Sequence, residues 1–207
     1  MYKKWLLVGV CLCASNVQAE TISLEYKGFY DRLKQVNKGS YQLVEVAFSV
    51  PMLPNCHIQS GTISSELNST PLTYTSAQRL FIPFDDALKD QRALVNLEFE
   101  GKAEGCGIAM QVRSKQTQVQ YDQERLQQIA NEMDDLLGAM QGFPMRYFKD
   151  PIAGLNFEFA QDQTVTVTLD GREQQVNTSF KLSVEQINSL TTLQFSHVPT
   201  VLSPWVK

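Results

Sequence analysis

The chain has 207 residues, 43% of them hydrophobic, 10% aromatic and 19% charged, with a formal net charge of −4. That balance excludes a disordered or supercharged tail, and 11 glycines with 8 prolines exclude a collagen-like or low-complexity chain. The acidic balance also argues against a nucleic-acid binder, which usually shows a basic face, although net charge leaves room for a local basic patch.

Residues 1–19 read as an address. Met1–Lys4 carries two lysines, Trp5–Ala14 is apolar, and Ser15–Ala19 ends in Val17-Gln18-Ala19. This is the three-part pattern of a secretory signal peptide cut after Ala19. The apolar run is far shorter than the roughly 20 residues of a spanning helix. Cys11 and Cys13 follow the bulky Val10 and Leu12 inside that run, which argues against a lipoprotein signal. Removal would take away two lysines and no acid, moving the net charge from −4 to −6. No later apolar run approaches membrane length, so the sequence predicts a periplasmic protein without a transmembrane segment, secretion being the alternative.

Cys56 and Cys106 then remain as an even pair, which in an oxidising compartment predicts a disulfide. Its loop of about 51 residues is worth about 4 kcal/mol in the chain-entropy model. A redox pair would want C-x-x-C spacing, which is absent. With only His57 and His197 to join the cysteines, the spacing fits no zinc site, and no metal or cofactor is expected.

In chain order, Thr21–Tyr26 reads as a strand and Gly28–Lys38 as a short helix with Phe29, Leu33 and Val36 on one face. Gln42–Val50 is a strand with Val44, Val46, Phe48 and Val50 inward, stopped by Pro51 and Pro54. Cys56–Glu66, Leu72–Tyr74 and Leu80–Ile82 read as further strands, and Asp85–Gln91 as one helical turn. Ala93–Phe99 alternates cleanly. Gly101–Gly105 loops into a strand with Cys106, Ile108, Met110 and Val112 on one face. This many short strands predicts an immunoglobulin-like β-sandwich over 20–118, an analogy of fold that carries no function.

Residues 119–207 open with an amphipathic helix. Asp122 is its N-cap, and Leu126, Ile129, Ala130, Met133, Leu136, Leu137 and Met140 form its stripe. Gly142 and Pro144 end it. An antiparallel sheet follows, from Leu155–Phe159, Val165–Leu169 and one strand through Val176, Phe180 and Leu182, with Asp170-Gly171 as a hairpin turn. Ser183 to Gln186 is a capping box for a short helix. Leu193–Phe195 is the last strand, and Pro199–Lys207 reads as an extended tail. The predicted class is therefore α+β, the sandwich half packing on the helix-and-sheet half.

Catalytic constellations are thin. Neither histidine has a triad context, and there is no G-x-S-x-G elbow, P-loop, dinucleotide fingerprint, H-E-x-x-H or EF-hand loop. Asp85-Asp86 and Asp134-Asp135 could pair as glycosidase carboxylates, but neighbours on a helix point apart. A helix start and a solvated face explain them better. The unusual segment is Gly142–Pro151, which crowds Phe143, Tyr147, Phe148, Arg146 and Lys149 between two prolines. Arg146, Tyr147 and Phe148, with Trp205 near the C-terminus, are the candidate binding residues for a glycan or protein partner. The competing reading has these aromatics plugging the seam between the halves, as the usual burial of large aromatics favours.

Gly28–Val50 (GFYDRLKQVNKGSYQLVEVAFSV), Cys106–Lys115 (CGIAMQVRSK), Gln141–Phe159 (QGFPMRYFKDPIAGLNFEF) and Ser203–Val206 (SPWV) together resemble a family of exported Gram-negative bacterial proteins described as a domain of unknown function. The resemblance implies an envelope location and supplies no activity, cofactor or site residue. Two functions stay open. The first is a non-catalytic binding or interaction module of the envelope. The second is a hydrolase of an envelope polymer using paired carboxylates, which needs one acid of raised pKa in a cleft.

Overall fold

The computed structural model describes residues 20–206; the predicted leader and its cleavage position lie outside the described residues. The N-terminal part runs β1 (Glu20–Glu25), α1 (Tyr26–Gly39), β2 (Val44–Ser49), β3 (Ile58–Ser64), β4 (Ser69–Pro71), β5 (Thr73–Tyr74) and β6 (Arg79–Phe81), then α2 (Asp86–Asp90), β7 (Leu94–Phe99) and β8 (Ala109–Ser114). The rest runs β9 (Gln120–Asp122), α3 (Gln123–Gln141), a 3-10 turn (Met145–Tyr147), β10 (Gly154–Glu158), β11 (Val165–Leu169), β12 (Arg172–Val176) and β13 (Ser179–Ser183), then α4 (Val184–Ser189), β14 (Thr192–Phe195) and β15 (Val201–Trp205). The described residues form four antiparallel sheets with one 19-residue helix, an α+β architecture.

The first sheet has the order β1-β7-β3-β4 and the second β5-β6-β2-β8. Alternation decides their buried faces: Val95, Leu97 and Phe99 of β7 are buried, as are Val44, Val46 and Phe48 of β2. Cys56 lies just before β3 and Cys106 in the approach to β8, and they form a disulfide with Cα atoms 5.5 Å apart. The bridge thus ties the first sheet to the second. Cys106 is not itself in a strand, which starts only at Ala109. Met110, expected inward, is 40% exposed because it stands at the start of that strand while the core is filled by Val112 farther along.

The third sheet is β12-β11-β14-β9 and the fourth β13-β10-β15. The segment read as one strand through Val176 and Leu182 is therefore two. A two-residue break at Asn177-Thr178 sends β12 to β11 and β13 to β10. The segment read as an extended tail holds β15, whose Pro204 stands opposite Leu155 in register. Asp170 and Gly171 both take positive φ (45° and 82°), the backbone of a tight hairpin turn between β11 and β12.

α3 starts where Asp122 caps it, the carboxylate accepting from Arg125 N at 2.7 Å. Leu126, Ile129, Met133 and Leu136 are at most 1% exposed, and the helix packs against α1, β2, β8, β9, β15 and α4. β15 also lies beside β8. The buried apolar residues of both parts consequently form one cluster, with α3 at its centre. The capping box of α4 is formed from both sides, Ser183 Oγ accepting from Gln186 N and Gln186 Oε1 from Ser183 N.

Candidate binding surface

The connection from α3 to β10 is built by two consecutive carboxylates. Asp134 Oδ1 accepts from Lys149 Nζ at 2.5 Å and from Ile152 N at 2.9 Å. Asp135 accepts from Tyr41 OH at 2.6 Å on one oxygen and from Arg146 Nη2 at 3.3 Å on the other. The adjacent acids diverge around the helix and grip two different stretches, so they stabilise structure and do not converge on a reacting atom. Burial pushes the Tyr41 hydroxyl above the ordinary tyrosine range, and its bond to Asp135 pushes the same way. Gly142, with φ of 70°, lets the chain leave α3 abruptly. A side chain at Gly138 would press to 3.1 Å from Lys149 Cε, so the glycine leaves room for the lysine stem to cross the helix.

This tethering holds the backbone and leaves the rings outside. Phe143 is 86% exposed, Tyr147 72% and Phe148 77%. The seam that these aromatics were expected to plug is filled instead by the α3 stripe and by Ile152, which is buried. Phe143 and Tyr147 meet edge to face at 6.3 Å, and the Arg146 guanidinium lies 5.7 Å from the Tyr147 ring.

Beside them opens a cleft of about 1300 Å3. Met145, Phe148 and Asp150 line one side, and Val184, Glu185 and Trp205 another. Of the four residues singled out in the sequence, Phe148 and Trp205 line this cleft. Arg146 and Tyr147 sit on the same turn, just outside the lining. The Cys56–Cys106 bridge is elsewhere, between the first two sheets.

Other residues join the surface only through register. In β10 the fully buried Leu155 and Phe157 alternate with Asn156 and Glu158, which face the other way. Asn156 stands between Lys181 of β13 and Ser203 of β15, and Gly154 between Ser183 and Trp205. Lys181 Nζ lies 5.2 Å from the centre of the Trp205 ring. Asn156 Nδ2 donates to Glu158 at 3.1 Å, while its Oδ1 is shielded from solvent and has no hydrogen-bond partner among the described residues. The alternation of β10 is visible in sequence, but the cross-strand meeting of Lys181 with Trp205 is not.

The remaining chemical candidates have structural roles or no completed constellation. Asp85 caps α2. Asp86 accepts from Tyr30, and that bond holds its carboxyl below the usual range, opposite to a general acid. Asp170 is likewise lowered, by the amides of Thr192 and Thr191. His57 and His197 are exposed, and Ser196 Oγ, 2.9 Å from His197 Nδ1, already accepts from Thr166 N. No group of three or more histidine, cysteine, aspartate or glutamate side chains able to hold a metal ion occurs among the described residues.

A family model for proteins of unknown function, DUF2987, matches residues 18–159, more than half of the chain. The chain belongs to this family. The DUF2987 match takes in the disulfide, α3, the tethered connection and β10, while Lys181, Ser203 and Trp205 lie beyond the matched residues. No curated protein and no solved structure matches the chain. No helix among the described residues is long and apolar enough to cross a membrane.

Proposed function

We propose that this DUF2987 protein is exported to the periplasm, loses residues 1–19 after Ala19, and works there as a non-catalytic binding module of the cell envelope. In this reading 20–118 is an immunoglobulin-like sandwich that acts as a scaffold, and 119–207 carries the contact surface. Arg146, Tyr147, Phe148 and Trp205 are its binding residues, facing an envelope protein or glycan. The observation that carries the reading is the exposure of Phe143, Tyr147 and Phe148 at the mouth of the cleft. Large apolar patches at a surface mark interaction sites, because leaving them in water costs free energy that a partner removes. The disulfide between the first two sheets supports an oxidising compartment.

The test is a photoreactive phenylalanine analogue at Phe148 in the chain expressed in its host, with one at the exposed Gln59 of β3 as control. The expected result is a discrete adduct from position 148 and none from 59. Equal labelling, or none, would sink the reading. The purified protein should also start at Glu20 and weigh two hydrogens less than its sequence. The second reading, a hydrolase of an envelope polymer, is favoured by one observation: Asp150 and Glu185 line the same cleft. Cleavage of an envelope polymer that Glu185→Gln abolishes would establish it.

A further inference from the structure

We propose that the outer face of the fourth sheet, ending in Trp205 at the cleft, is a subsite for a neutral oligosaccharide. This deepens the binding reading and rests on it. The face combines groups that no single structural need brings together. Within three adjacent strands it sets an indole, an ammonium, a carboxylate and an amide: Trp205, Lys181, Glu158 and Asn156. Lys181 and Glu158 balance in charge, so the face gives no Coulomb preference to a strongly charged ligand. Apolar area comes from the indole and, on the cleft side, from the exposed Phe148.

The orphaned acceptor decides the class. Asn156 directs its amide N–H to Glu158, which leaves Oδ1 buried without a donor. Reversing the amide would turn its oxygen toward the Glu158 carboxylate and gain nothing. A buried acceptor without a donor is an unfavourable arrangement that a bound group can relieve. An acyl chain brings no donor. A sugar brings both parts at once, with C–H faces to lie on an indole and hydroxyl or acetamido N–H groups to donate. In the free protein the Lys181 ammonium occupies the aromatic ring and flanks Asn156 in register. Binding would move Lys181 aside, exposing the ring and Oδ1 together.

The chain carries two tryptophans, Trp5 and Trp205, so in a Trp5→Phe background the indole emission reports this site alone. The experiment titrates that protein with chitotetraose, with maltotetraose and with a dodecyl-chain detergent below its micelle concentration. The expected result is a saturable emission change with a tetrasaccharide, chitotetraose indicating an acetamido-sugar strand and maltotetraose a plain glucan. By calorimetry, Asn156→Ala should weaken binding about tenfold, the scale of one lost hydrogen bond, while Lys181→Ala, which uncovers the ring in advance, should leave binding as tight or tighter, and a loss there would overturn the displacement of Lys181. Asn156→Ala should do so with no fall in Tm, which a merely structural asparagine would not. Response to the detergent alone overturns the inference in favour of an acyl ligand, and silence with every probe overturns it outright. The Phe148 photo-adduct separates the two levels: sugars silent with a protein adduct present refutes the glycan and keeps the binding module, and silence in both refutes both.

Discussion

Phe195 and Phe148 belong to two aromatic groups of this molecule with opposite surroundings. Phe195 lies within 4.9–6.4 Å of the rings of Tyr121, Phe157, Phe159 and Phe180, drawn from the third and fourth sheets and the residue after β10. Each member is at most 7% exposed, since strand alternation sends every second side chain to the same interior. Phe148 comes from a connection with no such periodicity. The segment there is held by its own backbone turn bonds and by the side chains of Arg146 and Lys149 on Asp135 and Asp134, and the rings stay in water. Burial of an aromatic is therefore decided by the element that carries it, and an anchored turn can hold apolar rings outward where a strand would have taken them in.

Mutations can break that contrast or sharpen it. The largest effect should come from Phe195→Ala, which empties the centre of the buried group at a cost of about 3–5 kcal/mol. Urea melts should show the midpoint falling sharply, and an unchanged midpoint would mean the third and fourth sheets do not depend on this contact. Next comes Cys56→Ser, expected to cost about 2–4 kcal/mol and to make Tm insensitive to reductant. A variant that melts like the parent, with and without reductant, would show that the bridge does not contribute.

The double change Tyr147→Ala with Phe148→Ala should move stability by no more than about 0.5 kcal/mol, as for exposed side chains generally. A loss of several times that would put these rings back in the core and remove the contrast. The smallest effect concerns acid. Asp170 is held below the ordinary carboxylate range by the Thr192 and Thr191 amides. Its contribution is therefore present above the ordinary carboxylate pKa of about 4 and lost as pH falls through the lowered value. Asp170→Asn, which tolerates the positive φ there, should narrow the gap in Tm between pH 7 and pH 3. An unaltered gap would leave that carboxylate without a part in acid sensitivity.

Most elements were legible where one physical signal dominated. α3 could be read from its cap and stripe, β2 and β7 from alternation, α4 from its capping box, and the Cys56–Cys106 bridge from cysteine count and context. What escaped depended on pairing. β12 and β13 share a continuous sequence pattern, and only their different partners, β11 and β10, separate them. β15 was hidden because Pro199 and Pro204 signal a break, yet a strand position needs no donor where its amide has no acceptor to meet. At the surface, the composition of 142–151 was conspicuous, but composition is the same for a plug and for a patch. The meeting of Lys181, Asn156 and Trp205 required the register of three strands, which no local window contains.

The disulfide has a consequence for the order of events. Residues 20–206 hold two cysteines, so oxidation within one chain has a single possible product. With residues 1–19 still attached, Cys11 and Cys13 raise the number to four, and four cysteines can be paired in three ways. If residues 1–19 are removed as proposed, early cutting after Ala19 would take away the wrong partners before the thiols close. A chain whose leader lingers would depend on disulfide exchange to recover the same bridge.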